Sequence, residues 1–259
     1  MAKKILGLDI STTCVGWSVG LIDDNSPIKS FSILNMGALK MKSKATEDET
    51  SYYPVHLFGR ADEFKTLITN IKNKHEDIDI VVIEEPLANT VVNINTTATL
   101  LRFNGMVSML VYEILGVMPH YISSLDARRY GFPEISVVRR FDKKGDLYDR
   151  DKILKDIKKN AAVPFGDHPW DVDKKKVIWD CIDKRLPNLP WAVNRTGGFD
   201  KTNYDTSDSI ALIAGYVNMV ENGFGGSKPK VALKKNDIHG VEYAVSFCGE
   251  EFCCQIDFC

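Results

Sequence analysis

Short apolar segments separated by turn residues dominate the first forty positions. Residues 4–9 form an apolar run that ends at a carboxylate, residues 14–22 alternate between apolar and polar positions, and residues 28–36 follow a turn rich in Asp, Asn and Pro. Period-two alternation bounded by turn residues is typical of β-strands. Three such segments joined by short turns predict an antiparallel meander.

The spacing of apolar positions becomes helical further along the chain. It predicts four helices, over residues 55–71, 95–115, 174–186 and 205–220, and a basic helix is also predicted over residues 151–159. Gly116 follows the second of them as a C-cap. Residues 78–83 are instead a continuous apolar run, which indicates a strand buried on both faces in parallel pairing. A short fifth strand is predicted over residues 120–123, and two or three more over residues 231–259.

This order of elements predicts an α/β fold, with a mixed five-stranded sheet (an antiparallel meander plus parallel strands) flanked by helices. A doubly wound dinucleotide-binding fold is disfavoured, because no helices separate the first three strands and no G-x-G-x-x-G motif occurs. We predict one domain over residues 1–222, with a charged insertion at 132–170. Residues 223–259 are predicted to form a linker and a small β-rich tail.

Composition restricts the class of protein. Hydrophobic residues make up 44% of the 259 positions, which is enough to bury a full core. The chain has no run of eighteen apolar residues and no signal-peptide pattern at its N-terminus. We therefore expect a cytoplasmic protein that does not contact membranes.

The six cysteines fall into two groups. Cys14 and Cys181 are isolated, and we predict that both are buried thiols. The other four crowd the last twelve residues, at positions 248, 253, 254 and 259. We interpret them as strand residues of a terminal hairpin, with a zinc site as the alternative.

Four carboxylates stand where predicted strands end or a predicted helix begins. Asp9 ends the first strand and Glu84 follows the continuous apolar run, so parallel pairing of these strands would bring both to one edge of the sheet. Asp205 and Asp208 are three residues apart at the start of the last helix, and such residues share a helix face. Taken singly, Asp9 is also explained as a turn residue and Asp205 as a helix N-cap.

Convergent carboxylates suit one kind of chemistry especially well. Mg²⁺ is a hard cation that prefers oxygen ligands. A pair of such ions makes a water nucleophilic and neutralises charge on the phosphate and leaving oxygen of a phosphodiester. The four carboxylates therefore predict the metal site of a nuclease.

Three segments resemble the motifs of RuvC-type Holliday-junction resolvases, which belong to the ribonuclease H-like superfamily. The matching segments are ILGLDIST at 5–12 followed by GWSV at 16–19, VIEE at 82–85, and DTSDSIAL at 205–212. Their order and rough spacing also agree with the family. The resemblance covers residues 3–131 and 172–222, and it implies a ribonuclease H-like fold.

The resemblance also implies an activity. A member of this family is a homodimer that resolves four-way DNA junctions by paired phosphodiester hydrolysis, with two Mg²⁺ ions in each active site, for which Mn²⁺ would substitute. Asp9, Glu84, Asp205 and Asp208 would be the metal ligands. Lys174, Lys175 or Lys176 would be the basic residue near the bond that is cut, with Lys175 the one selected here, although a solvated lysine run explains the same pattern.

This chain departs from the family in several places. Glu85 stands where the family has a residue that does not bind metal. The loop after Glu84 has no evident aromatic side chain to insert between base pairs. The insertion and the tail are additional, and this divergence favours a bacteriophage member that acts in the host cytoplasm.

Positive charge is concentrated in one part of the chain. The net charge is -2, yet residues 128–159 contain eleven Lys or Arg and six Asp or Glu, a net of +5. Such a segment would follow a phosphate backbone, although a solvated charged helix face explains it as well. The predicted DNA-binding residues are Arg128, Arg129, Arg139, Arg140, Lys143, Lys144, Lys174 and Lys176.

Three other functions are kept as alternatives. The chain could be a broader nuclease that cuts flaps, forks and other branched DNA. Residues 7–13 also resemble the first phosphate loop of actin-like ATPases and sugar kinases, but the second phosphate loop and the adenosine loop of those proteins are not evident. A non-catalytic DNA- or protein-binding relative is disfavoured because all four carboxylates are present.

Overall fold

The computed structural model describes residues 2–25, 27–41, 53–86, 94–133, 174–226, 230–235, 241–247 and 250–254. In chain order these residues form β1 (Lys3–Ile10), β2 (Cys14–Asp23), β3 (Ser30–Lys40), α1 (Tyr53–His75), β4 (Ile80–Glu84), α2 (Ile94–Leu115), β5 (His120–Ile122), α3 (Ser124–Gly131), α4 (Lys174–Arg185), α5 (Asn203–Tyr216), a π-helical turn (Val217–Glu221), a 3₁₀ turn (Phe224–Gly226), β6 (Lys230–Lys235), β7 (Val241–Phe247) and β8 (Glu250–Cys254).

The first five strands form one mixed sheet in the order β3-β2-β1-β4-β5. β1, β2 and β3 are antiparallel neighbours, whereas β4 runs parallel to β1 and β5 runs parallel to β4. This arrangement confirms the predicted α/β fold with a mixed five-stranded sheet flanked by helices. The meander forms because its strands are joined by short turns, while each parallel pairing requires a helical crossover.

Helices α1 and α2 cover one face of the sheet. Alternate side chains of β1, including Leu6 and Leu8, point toward this face and are fully buried. They pack against Phe64 of α1 and against Phe103 and Val107 of α2. Burying side chains of this size contributes roughly 1.5–3 kcal/mol each relative to exposure, so this cluster is a major part of the core.

Helix α5 covers the opposite face, with α3 and α4 beside it. Ile5 of β1 and Val82 of β4 pack there against Leu212 and Ile213 of α5. Because side chains alternate between faces along a strand, residues 5, 7 and 9 of β1 share this face with residues 80, 82 and 84 of β4. The period-two pattern therefore directs both strand-end carboxylates toward α5.

By length and composition alone, helix α2 could cross a membrane. Its segment Thr96–Leu115 has a mean hydropathy of 1.2, although polar residues interrupt it and it contains no run of eighteen apolar residues. Phe103, Val107 and Val111 of this helix are fully buried against the sheet. This packing is typical of a helix in the core of a folded domain, although much of the remaining apolar surface of α2 is exposed.

Several predicted boundaries differ from the structure. The last helix begins at Asn203 rather than at residue 205, and its α-helical part ends at Tyr216, where the π-helical turn begins. Gly116 has the positive φ of 74° expected of a C-cap, and its amide donates to the Tyr112 carbonyl. Cys14 and Cys181 are buried, as predicted.

Helix α3 was not predicted. It is short and polar, and only Ala127, Tyr130 and Gly131 are buried along it. The signal that would have revealed it is the Ser-x-x-Asp pattern at its start, since the Ser123 hydroxyl accepts a hydrogen bond from the Asp126 amide.

Strands β6 to β8 form a separate antiparallel sheet. This agrees with the strands predicted for the tail, while the division into a domain over residues 1–222 and a linker with a tail over residues 223–259 stays a prediction. Cys253 and Cys254 lie in β8. The other two tail cysteines and the basic helix predicted near residues 151–159 lie outside the described residues, so the zinc alternative stays open.

A buried carboxylate fastens the end of α5 to the sheet. Glu221, whose side chain is 9% exposed, accepts hydrogen bonds from the ammonium groups of Lys3 on β1 and Lys29. Burial by itself would raise the pKa of Glu221, but the hydrogen bonds from Lys29 and Lys3 outweigh it and lower this pKa below its ordinary value.

We predict that Glu221→Gln lowers the free energy of unfolding by about 1–2 kcal/mol at pH 7, because charge-assisted hydrogen bonds are lost. A carboxylate whose pKa is lower in the folded than in the unfolded protein stabilises the fold. This stabilisation is complete above the unfolded-state pKa, near 4.5, and it is lost as pH falls through the folded-state pKa. Urea unfolding of wild type and variant should therefore converge at acidic pH. Glu113→Gln, at an exposed position on α2, is the matched control; a constant difference at all pH values would contradict the prediction.

Candidate active site

Two carboxylates lie side by side at one edge of the main sheet. Leu8 pairs with Ile83 across β1 and β4, so Asp9 and Glu84 are the next residues along two parallel neighbours. Both are on the face covered by α5. The backbone of Glu84 is held in turn by α2, since the side-chain amide of the buried Asn104 donates to the Glu84 carbonyl at 3.3 Å.

Helix α5 approaches this edge unusually closely, and two glycines permit the approach. A Cβ added at Gly7 would lie 2.3 Å from the Ser209 carbonyl oxygen, and one at Gly16 would lie 2.0 Å from the Asp205 carbonyl oxygen. Neither contact is possible for a real side chain, because interiors are close-packed and backbone does not yield easily. The glycines of the first motif therefore determine how near α5 lies to β1 and β2.

The start of α5 is fixed by its own hydrogen bonds. The side chain of Asn203 donates to the Ala192 carbonyl at 2.8 Å and accepts from the Ala192 amide at 2.9 Å. The helix N-cap is Thr202, so Asp205 is a residue of the first turn and not the N-cap considered from the sequence. Its carboxylate is therefore available for contacts outside the helix.

The four predicted site carboxylates influence one another electrostatically. Burial raises the pKa of Asp9 well above its ordinary value, and the negative charges of Glu84 and Asp208, a hydrogen bond with Glu84, and the charge of Asp205 raise it further. Neighbouring carboxyl groups raise each other's pKa in this way, because each negative charge disfavours ionisation of the next group. The structure thus brings Asp9 within electrostatic reach of all three other carboxylates.

Asp208 lies deepest in the site and has its own cationic partner. It is 9% exposed, and its Oδ1 accepts a hydrogen bond from Nη2 of Arg128 on α3 at 3.1 Å. Burial raises the pKa of Asp208, and the repulsion from Glu84 acts in the same direction, although Arg128 opposes both. One guanidinium therefore offsets only part of the negative charge that is buried here.

Asp205 is contacted from two other sides. Nζ of Lys175 on α4 donates to its Oδ1 at 3.2 Å. Partial burial disfavours the charged ammonium, but Asp205 outweighs it and raises the pKa of Lys175. Burial, a hydrogen bond to Asp205 and the charge of Asp205 raise the pKa of the Cys14 thiol to about 12. Cys14 therefore stays a neutral thiol at physiological pH.

The donor set fits a divalent cation. The four carboxylates come from the ends of two neighbouring strands and from one helix. They converge on a poorly solvated site that has too little positive charge to balance them. Cations that prefer oxygen ligands favour such an environment. Within the described residues, however, no three His, Cys, Asp or Glu side chains already stand together as a set of metal ligands. Arg128 and Lys175 instead contact two of the carboxylates.

The predicted DNA-binding residues have different surroundings. Arg128 is largely enclosed and faces Asp208, whereas Arg129 is 40% exposed and pairs with Asp126 on the same helix. Lys176 is exposed on α4 and Lys174 is the first residue of that helix. The remaining four, at positions 139, 140, 143 and 144, lie outside the described residues. Glu85 is exposed next to Glu84.

Some participants in the site were not foreseen in these roles. The sequence suggested Arg128 only as a surface DNA contact and Cys14 only as a buried thiol. Both contact site carboxylates from elements that are distant along the chain. No periodicity or local motif links residue 128 to residue 208, so only the packing of α3 against α5 reveals the pair.

No protein-family model matches this chain, and no curated protein matches it significantly in sequence. Among solved structures, it is similar to Thermus thermophilus RuvC in complex with a Holliday junction substrate, with a TM-score of 0.49 and 10% identity over 84% of this chain and 96% of that one. It is also similar to the yeast mitochondrial Holliday junction resolvase Ydc2, with a TM-score of 0.45 and 14% identity over 85% and 80% of the two chains.

A weaker likeness links the chain to the Aquifex aeolicus PPX-GPPA enzyme, with a TM-score of 0.30 and 12% identity over 53% of this chain and 41% of that one. At such identities, and with TM-scores below 0.5, these likenesses assign no function to this chain. None of them supports the predicted bacteriophage origin.

We predict that Gly16→Ala destabilises the protein by about 1–3 kcal/mol, the usual cost of overpacking, because the new Cβ displaces the start of α5. Urea unfolding measures the change. The matched control is Gly226→Ala, where an added Cβ meets nothing within 4 Å and the free energy of unfolding should change by less than about 0.5 kcal/mol. Equal stability of Gly16→Ala and wild type would show that α5 does not depend on this close approach.

Proposed function

We propose that this chain is a divalent-metal-dependent endonuclease that resolves four-way DNA junctions by hydrolysing phosphodiester bonds. The observation that carries the proposal is the convergence of Asp9, Glu84, Asp205 and Asp208, where β1 and β4 end side by side beneath the closely packed first turns of α5. The preference for a junction over other branched DNA rests on the three sequence motifs that resemble resolvases.

Each group has a role in this proposal. Asp9, Glu84, Asp205 and Asp208 would hold two Mg²⁺ ions, with Mn²⁺ able to replace them. When bound, such ions activate a water and neutralise charge on the phosphate and leaving oxygen. Metal binding would require these carboxylates to be ionised, because a carboxylate that binds metal is deprotonated.

The side chains of Lys175 and Arg128 would have different roles, one toward the substrate and one toward the carboxylates. Lys175 is 55% exposed in its side chain and lies at the opening of the site, where its ammonium would contact the phosphate next to the bond that is cut. Arg128 is more enclosed and would help to balance the charge of Asp208. Charge-assisted hydrogen bonds of both kinds are stronger than neutral ones.

The direct test is cleavage of a labelled four-way junction beside a fork and a linear duplex. Wild type with Mg²⁺ or Mn²⁺ should cut the junction symmetrically, and a chelator should stop cutting. Glu84→Gln and Asp208→Asn should each lower the rate by more than the roughly 10–100-fold that loss of a group supporting a metal ligand costs.

Glu85→Gln is the matched control, because it makes the same change at the adjacent, exposed position and should cut at the wild-type rate. Cutting of every branched substrate would favour the broader nuclease. No cutting of any DNA, together with binding of ATP, would overturn the proposal in favour of an actin-like ATPase.

We also propose that the protein is a homodimer joined through α1 and α2. These helices form a groove lined by apolar side chains, of which Phe58 and Met109 are 59% and 63% exposed. Asp62, Lys65 and Arg102 line it as well. In a twofold interface the same surface meets itself, so these residues supply both signs of charge for pairing between subunits. The groove and the carboxylates belong to opposite faces of the sheet, which leaves both active sites open.

Met109→Asp should convert the dimer to a monomer, because it places a charge in the centre of an apolar interface. Light scattering after size-exclusion chromatography measures the mass. Met118→Asp makes the same change at a residue that is 70% exposed beyond the end of α2 and should leave the dimer intact. A monomeric wild type at micromolar concentration, or a dimeric Met109→Asp, would contradict this interface.

A further inference from the structure

Four aromatic rings form a cluster next to the helices that carry Lys175 and Asp205. The ring of Trp179 is 5.7 Å from that of Trp191 and 4.9 Å from that of Phe199, and Phe199 is 5.1 Å from Tyr204. The two Trp179 contacts are edge-to-face, which is a favourable aromatic geometry. Phe199 is 40% exposed, so the cluster presents part of one ring to solvent.

The position of the cluster is set by the same helices that carry the site. Trp179 is four residues after Lys175 on α4, and residues so spaced lie one above the other on a helix face, about 6 Å apart along the axis. Nζ of Lys175 contacts Asp205, and Tyr204 is the residue before Asp205 on α5. Phe199 therefore packs against residues that lie one helical turn from Lys175 and directly before Asp205 in the chain.

Phe199 belongs to residues 191–202, here named the aromatic loop, and this loop is internally braced. The side-chain oxygen of Asn194 accepts hydrogen bonds from the Thr196 amide, the Thr196 hydroxyl and the Gly198 amide, at 3.0, 2.7 and 2.9 Å. Gly197 turns the chain with a φ of 80°. A braced loop loses little conformational entropy when it binds a partner.

The exposed charges of the aromatic loop are positive. Arg195 and Lys201 are exposed, whereas the acidic residue of the loop, Asp200, is paired with Lys40 of β3 at 3.3 Å. An exposed ring flanked by cations is the chemistry that binds single-stranded nucleic acid, in which a base stacks on the ring and cations contact the backbone. An apolar partner protein would not require this distribution of charge.

We propose that the aromatic loop is a base-stacking subsite of the nuclease. An unpaired base next to the branch point of the DNA stacks on Phe199, while Arg195 and Lys201 contact the adjacent phosphates. The subsite rests on the proposed function and gives this chain the aromatic contact that is missing from the sequence after Glu84. It also places the bond to be cut next to an opened base pair.

The test compares Phe199→Leu with Phe199→Tyr. Leucine keeps an apolar side chain against Trp179 but removes the ring face, and tyrosine restores it. Fluorescence anisotropy with a chelator present measures affinity without cleavage, on a four-way junction, a single strand and a fully paired duplex. Phe199→Leu should bind the junction and the single strand about tenfold more weakly or worse, with the duplex unchanged, and Phe199→Tyr should bind within about twofold of wild type.

The matched control is Tyr121→Leu, which removes a 46% exposed ring from β5, at the opposite edge of the sheet from β3, and should leave all three affinities unchanged. Wild-type affinity of Phe199→Leu for the junction, an equal loss on the paired duplex, or failure of the wild type to bind any of the three DNAs would each overturn the subsite. Thermal unfolding confirms that the variants fold. Because binding is measured without cleavage, a protein that stacks a base but does not cut contradicts only the proposed function.

Discussion

The close contact of α5 with β1 and β2 is the constraint on which the rest of the candidate site depends. Gly7 and Gly16 leave the sheet surface bare beneath the helix, so backbone packs on backbone. Because a packed interior does not deform continuously, this contact determines where Asp205 and Asp208 stand relative to Asp9. A first motif with larger side chains would preserve each element and still separate the carboxylates.

The convergence has an electrostatic cost that the structure offsets only in part. Burial and mutual repulsion raise the pKa values of Asp9 and Asp208, which means that the charged forms are disfavoured. Arg128 and Lys175 each contact one carboxylate and reduce the repulsion. A fold selected for stability alone would replace such a cluster with apolar side chains. Its presence at a sheet edge is consistent with a site that is completed by cations and by a phosphate substrate.

The start of α5 connects the chemistry to its surroundings. Asn203 ties the helix to the aromatic loop through Ala192, and Tyr204 contributes a ring to the cluster around Phe199. Asp205, the next residue, reaches the carboxylate site. Of these three consecutive residues, Asn203 therefore anchors the loop, Tyr204 packs in the aromatic cluster, and Asp205 belongs to the acidic site. On the opposite face of the sheet, α1 and α2 form the apolar groove, so proposed subunit contacts and proposed DNA contacts are kept apart.

The strands, most helices and the order in which four carboxylates follow them could be predicted from the amino-acid sequence, because period-two and helical spacing are local properties that burial imposes on each element. The sequence also predicted that Asp9 and Glu84 would share an edge, since parallel pairing of two apolar strands fixes that register. Three contacts became visible when the helices were packed on the sheet: Arg128 faces Asp208, Cys14 contacts Asp205, and rings that are separated in sequence cluster around Phe199. These contacts join residues far apart along the chain, and their partners are selected by how helices pack on the sheet, which no local pattern encodes.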